Sequence, residues 1–489
     1  MRWLVLLAAL VLTVPAWGNP AQAVTIALAD AKQLGPAAVD AAYLDGTTFS
    51  PQQLDTFLNA LAFAINSLSR NPEPVKPVLL PGNVLRVPLS ELGWSRKVWD
   101  RQALLDPYFS VRLVRVYDWP GGVWNDGRHY NANAFKVQGE KADYAPWLGN
   151  AINELGTLTQ SQVPIVRADW WFVNAFRQQG LNGKENGFGY YDWLEVRDRT
   201  TFQALVRLDE KVSRELLLEH RAVIEDGTSG VSQHNRGIVR LKSYVGAYWL
   251  TLDTDSSIDE LKDGKLVRAN NATRHIGRGE LQHKAEEHYA ALPNGLFAFL
   301  LCDDKGKLQA SAPDFIGSDD SPLRQGKDSR IHVGIACVRC HVEGLRPIDD
   351  WMRRTFRGPS EFQTYDKKKH EEVKRQYFSN LDKKLAEDRL VYVDALREVN
   401  GLTPLANAAA VAELYNWYFR KRTVANLAVE LGVEEAKLKA ALVKVADPQF
   451  TPDPNKRLPY ELFGSLAKGG TLSVPVVEER FATLMGLVK

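Results

Sequence analysis

The chain has 489 residues, 45% of them hydrophobic and 25% charged, the balance of an ordinary globular protein with length enough for more than one domain. Against 61 Lys and Arg stand 59 Asp and Glu, and the formal charge of +2 removes the electrostatic case for a nucleic-acid-binding protein. With only 3 cysteines, a disulfide-rich scaffold is excluded as well.

At the N-terminus Arg2 supplies a positive charge, residues 3–14 form an apolar core, and Ala21-Gln22-Ala23 has the small-x-small form of a cleavage site. The expectation is an exported, periplasmic protein whose mature chain begins near Val24. The apolar stretch falls short of the roughly 20 residues that span a bilayer, and no other segment does better, so no membrane span is expected in the mature chain. Ser50, Pro51 and Gln53 predict a helix start with an N-cap, a first-turn proline and a capping box, and Leu54, Phe57, Leu58, Leu61, Ile65 and Leu68 follow at helical spacing. Leu85, Val87 and Leu89 alternate with Arg86 and Pro88 as in a short edge strand. Strand-like alternation recurs over 111–117, and 119–133, rich in glycine, asparagine and aromatics, reads as a long loop.

A helix is expected over 200–223, and 296–302, the turn Asp303-Asp304-Lys305-Gly306 and 307–310 are expected to form a hairpin. Beyond Gly358 the pattern is helical: 365–399 is highly charged, while 405–418 and 423–445 are amphipathic, the last broken at Gly432. Helix, glycine turn and helix is also the pattern of a DNA-binding module, but near-neutral charge and export favour an ordinary helical hairpin. Lys367, Lys368 and Lys369 are followed by Glu371, Glu372 and Asp382, which reads as a solvated helix face.

Cys337-Val338-Arg339-Cys340-His341 spells the attachment site of a c-type haem. Each thiol can add to a haem vinyl group, and the histidine that follows is placed to bind the iron. A redox dithiol or half of a zinc site has the same cysteine spacing. A zinc site would need a second close pair of ligands, whereas Cys302 stands alone at the end of an apolar run and reads as a small buried residue. A redox dithiol leaves the adjacent histidine unexplained. One covalent haem c, held by Cys337 and Cys340 with His341 as proximal ligand, is therefore the expected cofactor.

The group on the opposite face of the iron decides between electron transfer and small-molecule binding. Met352 and Met485 are the methionines that follow the motif; Met352 reads more readily as a core filler, and Met485, near the C-terminus, has no local signal around it. His283 and His288 lie upstream, and His332 has little chain with which to cross the ring. Asp169, Asn235 and Arg236 could bind haem propionates or form ordinary ion pairs and caps. Asp253, Asp255 and Asp259 lack the glycine and terminal glutamate of a calcium loop, so no metal other than haem iron is expected.

The chain resembles a family of uncharacterised, exported single-haem proteins of environmental bacteria. The likeness is carried by Asn66-Ser67-Leu68-Ser69, Leu92-Gly93-Trp94 with Trp99, Arg167-Ala168-Asp169-Trp170, Gly230-Val231-Ser232 with Asn235-Arg236, Gly246-Ala247-Tyr248-Trp249, Leu292-Pro293-Asn294-Gly295-Leu296, the haem motif and Ala428-Val429-Glu430-Leu431-Gly432. Each is weak alone; their order along the chain is the specific feature. The family pattern has a histidine, then a glutamate four residues later, ahead of Leu-Pro-Asn-Gly, and His283 and Glu287 fall on those positions. The resemblance thus implies His283 as the distal candidate. Two departures stand out: His234 where the family tends to asparagine, and Leu241 where a histidine is expected.

The expected fold is α+β, with mixed N-terminal and central regions, the haem motif and a mainly helical C-terminal region, and is not a stand-alone small cytochrome c fold. The expected divisions are a signal peptide (1–23), an N-terminal α+β region (24–160), a strand-containing region ending in the motif (161–357) and a helical region (358–489). The function expected is periplasmic one-electron transfer with a redox partner protein or small-molecule redox substrate; the alternative is a peroxidase-like haem enzyme or a haem sensor with an open distal face.

Overall fold

The computed structural model describes residues 20–109, 149–182, 185–224, 236–254, 259–262, 265–268, 283–313, 330–357, 366–449 and 460–488. The signal-peptide core, the 111–117 and 119–133 readings, and Asn235 and His234 lie outside the described residues. α1 (Pro20–Leu34) leads into β1 (Ala41–Asp45) and α2 (Pro51–Ser67). Ser50 is the N-cap of α2 and Pro51 enters its first turn, but the expected capping box does not form. Instead the Ser50 hydroxyl donates to the Gln53 side chain at 2.9 Å.

β2 (Val78–Leu79), β3 (Val84–Pro88), α3 (Arg96–Ala103), α4 (Gly149–Thr159), β4 (Ile165–Arg167) and α5 (Ala168–Ala175) complete the N-terminal part. Its sheet has the order β2-β3-β1-β4. β3 is thus interior, not the edge strand that Pro88 suggested. Its outer neighbour is a two-residue strand with both side chains exposed, which carries no apolar alternation to read. Trp94, Trp171 and Trp193 pack together, with ring centroids 4.4–6.2 Å apart. The tryptophan-rich composition is here a core feature.

The hairpin β5 (Gln178–Asn182) and β6 (Glu185–Gly189) runs into α6 (Tyr190–Trp193). The helix expected over 200–223 is instead α7 (Arg199–Leu205), α8 (Glu210–Glu215) and β7 (His220–Ile224). Asp209 breaks it by capping a fresh helix through the Val212 amide, and Arg207 and Leu217 take positive φ at the two exits. The run Ala222-Val223-Ile224 then suits an extended strand.

β7, β8 (Arg236–Lys242), β9 (Ala247–Asp253), β12 (Ala285–Ala291) and β13 (Phe297–Asp303) form an antiparallel sheet in the order β13-β12-β9-β8-β7, while β10 (Asp259–Lys262) pairs with β11 (Lys265–Arg268). The main partner of β13 is β12, across the Leu292-Pro293-Asn294-Gly295 turn. The expected turn at 303–306 forms, with the Gly306 amide donating to the Asp303 carbonyl, but its return limb pairs with β13 only through a bridge from Leu308 to Cys302. The outer edge of β13 is closed by two tyrosine hydroxyls of α6, which accept from the amides of Phe299 (Tyr190, 2.9 Å) and Leu301 (Tyr191, 3.0 Å).

The motif helix α9 (Ile335–His341) precedes α10 (Trp351–Thr355), α11 (Lys367–Tyr377), α12 (Leu381–Asn400), α13 (Pro404–Phe419), α14 (Val424–Leu431), α15 (Glu435–Ala446), α16 (Tyr460–Ala467) and α17 (Val474–Val488). The fold is α+β with a helical C-terminal region and is not a small cytochrome fold, as the patterning implied. Gly432 ends α14 in the left-handed conformation, which delivers the expected helical hairpin with α15. α13 packs on both α2 and α5, so one apolar core runs from the N-terminal helices to the C-terminal ones. Among the described residues no helix is long and apolar enough to cross a membrane.

Candidate functional site

Side chains alternate across a strand, so the central sheet has two chemically distinct faces. The pairing register puts Glu287 beside Leu301, Tyr289 beside Phe299 and Ala291 beside Phe297 on one face. On the other it puts Glu286 beside Cys302 and His288 beside Leu300. The Cys337–His341 segment meets the first face, and a buried polar cluster occupies the second.

α9 begins at Gly334, whose φ of 77° and tight surroundings exclude a side chain: a Cβ there would lie 2.2 Å from the Phe176 carbonyl oxygen. Residues three and four apart share a helix face, so Cys337, Cys340 and His341 line one side of α9. Cys337 is buried and Cys340 partly so. The His341 ring lies over Tyr289 at 4.7 Å and Phe299 at 5.8 Å between centroids. α12 holds the chain just beyond the motif, the Tyr392 hydroxyl donating to the Val342 carbonyl at 2.6 Å. Phe297 stacks on Tyr392 at 4.7 Å, joining sheet and helix.

Burial, with Arg346 and Arg236 nearby, lowers the His341 imidazole to about 4, so at neutral pH it is uncharged. Its buried Nδ1 has no hydrogen-bond partner of ordinary geometry, the adjacent Gly344 backbone giving only a partial offset. Burial and the neighbouring Glu287 push the Cys337 thiol well up. Two thiols and a neutral imidazole on one helical face are the donor set that a c-type haem requires, and these residues fit that group.

Arg236, named as a propionate candidate, is buried on the same sheet face, pairing with Asp253 and reaching Glu287 at 3.4 Å. Asp169 sits in the N-terminal core in a paired contact with Arg167 at 2.7 and 3.1 Å. Met352 is a buried core residue, as expected, and Met485 is buried as well. His332 lies in a bridge with Ser311. Among the described residues, the sheet face beneath His341 carries one histidine, His220, which the register places on the edge strand β7 in line with Arg240, Trp249 and Tyr289, its Nδ1 2.7 Å from the Ser379 hydroxyl.

The structure does not bring His283 to His341. Its Nε2 lies 2.9 Å from Glu286 Oε1, and Glu286 points to the opposite sheet face. There Glu286 Oε2 is 2.9 Å from His288 Nε2 and 3.2 Å from Cys302 Sγ, while His288 Nε2 is 3.3 Å from Cys302 Sγ. Tyr248 Oη contacts His288 Nδ1 at 2.6 Å, and Arg199 holds both Glu286 oxygens at 2.8 Å. Cys302 is thus buried as expected, but among polar partners; burial and Glu286 push its thiol above its ordinary value. Glu286 is held well below the usual carboxylate range, since the hydrogen bonds from His283 and His288 outweigh the opposing effect of burial. Sequence reasoning missed this cluster because its members meet only through strand pairing. The Glu286-x-His288 alternation, with a cysteine ending the next strand, was the available sign.

Comparison of the chain with family models, with curated proteins and with solved structures gives no match in any of the three.

Proposed function

We propose that this chain is an exported c-type haem protein, bearing one covalent haem on Cys337 and Cys340 with His341 as the proximal iron ligand, and that it serves one-electron transfer in the periplasm. The observation that carries this reading is the placement of both thiols and an uncharged imidazole on one side of α9. The N-terminal export pattern and the ordered likeness to exported single-haem proteins point the same way. When bound, the haem would supply an iron centre able to exchange single electrons. Cys337 and Cys340 would hold it and His341 would give the iron a nitrogen, with Tyr289 and Phe299 packed against the His341 ring and Arg236, paired with Asp253 and Glu287, on the same sheet face.

A second reading, a haem enzyme or sensor with an open distal face, is favoured by the position of the distal candidate His283, which Glu286 holds on the opposite sheet face. The partner would then be a small molecule rather than a redox protein. Expression of the full chain with haem-attachment machinery, followed by mass spectrometry and absorption spectroscopy, tests both. A mass increase of one haem, abolished in Cys337→Ala/Cys340→Ala, is expected; protein without any porphyrin adduct would overturn the proposal. Slow or absent carbon monoxide binding by the reduced protein supports the electron carrier, and rapid binding supports the open site.

A further inference from the structure

We propose that Glu286, His288 and Cys302, with His283 as a fourth donor, form a binding site for a zinc-type divalent cation on the sheet face opposite the haem motif. Glu286, His288 and Cys302 are all buried, and one potential ligand atom from each lies within 4.8 Å of the others. His283 Nε2 lies 2.9 Å from the other Glu286 oxygen, Oε1, outside that group, and turned in from there it would complete two imidazoles, a thiol and a carboxylate, the nitrogen, sulfur and oxygen donors that a four-coordinate zinc takes. The three contacts of 2.9–3.3 Å among Glu286 Oε2, His288 Nε2 and Cys302 Sγ are a little shorter than the edges of such a tetrahedron, so a cation enters by a small outward relaxation of that triad.

The outer contacts fit the same role. A zinc-bound histidine normally gives its second ring nitrogen to a hydrogen-bonding partner, and Tyr248 occupies that position at His288 Nδ1. Arg199 fixes the Glu286 carboxylate, and Glu210 lies within electrostatic reach of both Arg199 and His288. The proton balance is explicit. The cation takes the Cys302 sulfur as thiolate, the thiol proton leaves to solvent, and both histidines bind as neutral imidazoles. Affinity therefore rises with pH. Strand pairing sets the arrangement, Glu286 facing Cys302 across β12 and β13 with His288 two residues on.

The test uses the full chain in a Cys337→Ser/Cys340→Ser background, which leaves Cys302 as the only thiol and removes any haem absorption. After chelation and desalting, titration with cobalt(II) is expected to give a thiolate-to-cobalt charge-transfer band and tetrahedral ligand-field bands saturating at about one metal per chain. Zinc should then displace the cobalt. Cys302→Ser should remove the thiolate band, and Tyr248→Phe, which keeps every donor, should weaken zinc binding about 10- to 100-fold. Absence of the thiolate band in the parent, or its persistence in Cys302→Ser, would overturn the site. Haem attachment is read separately on the unsubstituted chain, so failure of either proposal leaves the other standing.

Discussion

Asp106 illustrates how one buried group can set a pH response. Its carboxylate accepts from the backbone amides of Tyr108 at 2.8 Å and Arg167 at 3.2 Å, yet burial prevails and pushes it up to about 8 from an ordinary 3.8. At low pH the carboxyl is protonated in both folded and unfolded chains and contributes nothing. As pH rises past the ordinary value, the unfolded chain ionises while the native chain keeps its proton, so stability falls until the folded group also ionises near 8. The expected contribution to the slope is about −1.4 kcal/mol per pH unit. Urea denaturation across that window should show it, and Asp106→Asn should flatten the slope while giving up about 1 kcal/mol with one of the two backbone hydrogen bonds. A slope unchanged by the substitution would assign the pH response elsewhere.

At the scale of elements, the motif helix is short, and its seat depends on the close approach at Gly334. Gly334→Ala would force a Cβ against the Phe176 carbonyl and the Tyr190 ring in a backbone conformation that alanine resists. A loss of about 2–4 kcal/mol in thermal or urea unfolding is expected, with reduced yield of any haem adduct. A Gly334→Ala protein of undiminished stability would show that α9 can shift without cost. Legibility followed the range of the interaction. α13, α14, α15 and the placement of both thiols and His341 were readable, since capping, helical spacing and a left-handed glycine act within a few residues. The break into α7, α8 and β7 was not, because a capping aspartate inside an otherwise helical pattern looks like a surface residue. β3 was misplaced at an edge because nothing in Val78-Leu79 announces a strand. The polar cluster was illegible for a related reason: Cys302 reaches Glu286 and His288 only once β12 and β13 are in register.

For the whole molecule, the apparent divisions of the sequence are joined by buried charge as well as apolar contact. Arg167, at the end of β4, pairs with Asp169 at 2.7 Å and with Glu430 of α14 at 3.1 Å, and Glu430 also holds Arg422 at 2.7 Å. Breaking such a pair leaves an uncompensated charge in the interior, so Glu430→Ala is expected to cost about 3–5 kcal/mol. Because α14 shares this network with β4, and α13 lies on α2, calorimetry should show one cooperative transition that shifts as a unit in the variant; separate N- and C-terminal transitions would refute the coupling. β12 adds a constraint of a different kind. Its adjacent residues His288 and Tyr289 serve opposite faces, so a slip of one residue in its pairing would put His288 or Ala290 beneath the His341 ring in place of Tyr289, and Glu287 or Tyr289 in the place of His288 opposite Leu300. Misaligned hairpins are penalised on both sides at once, and the nascent sheet has a single alignment in which to lock.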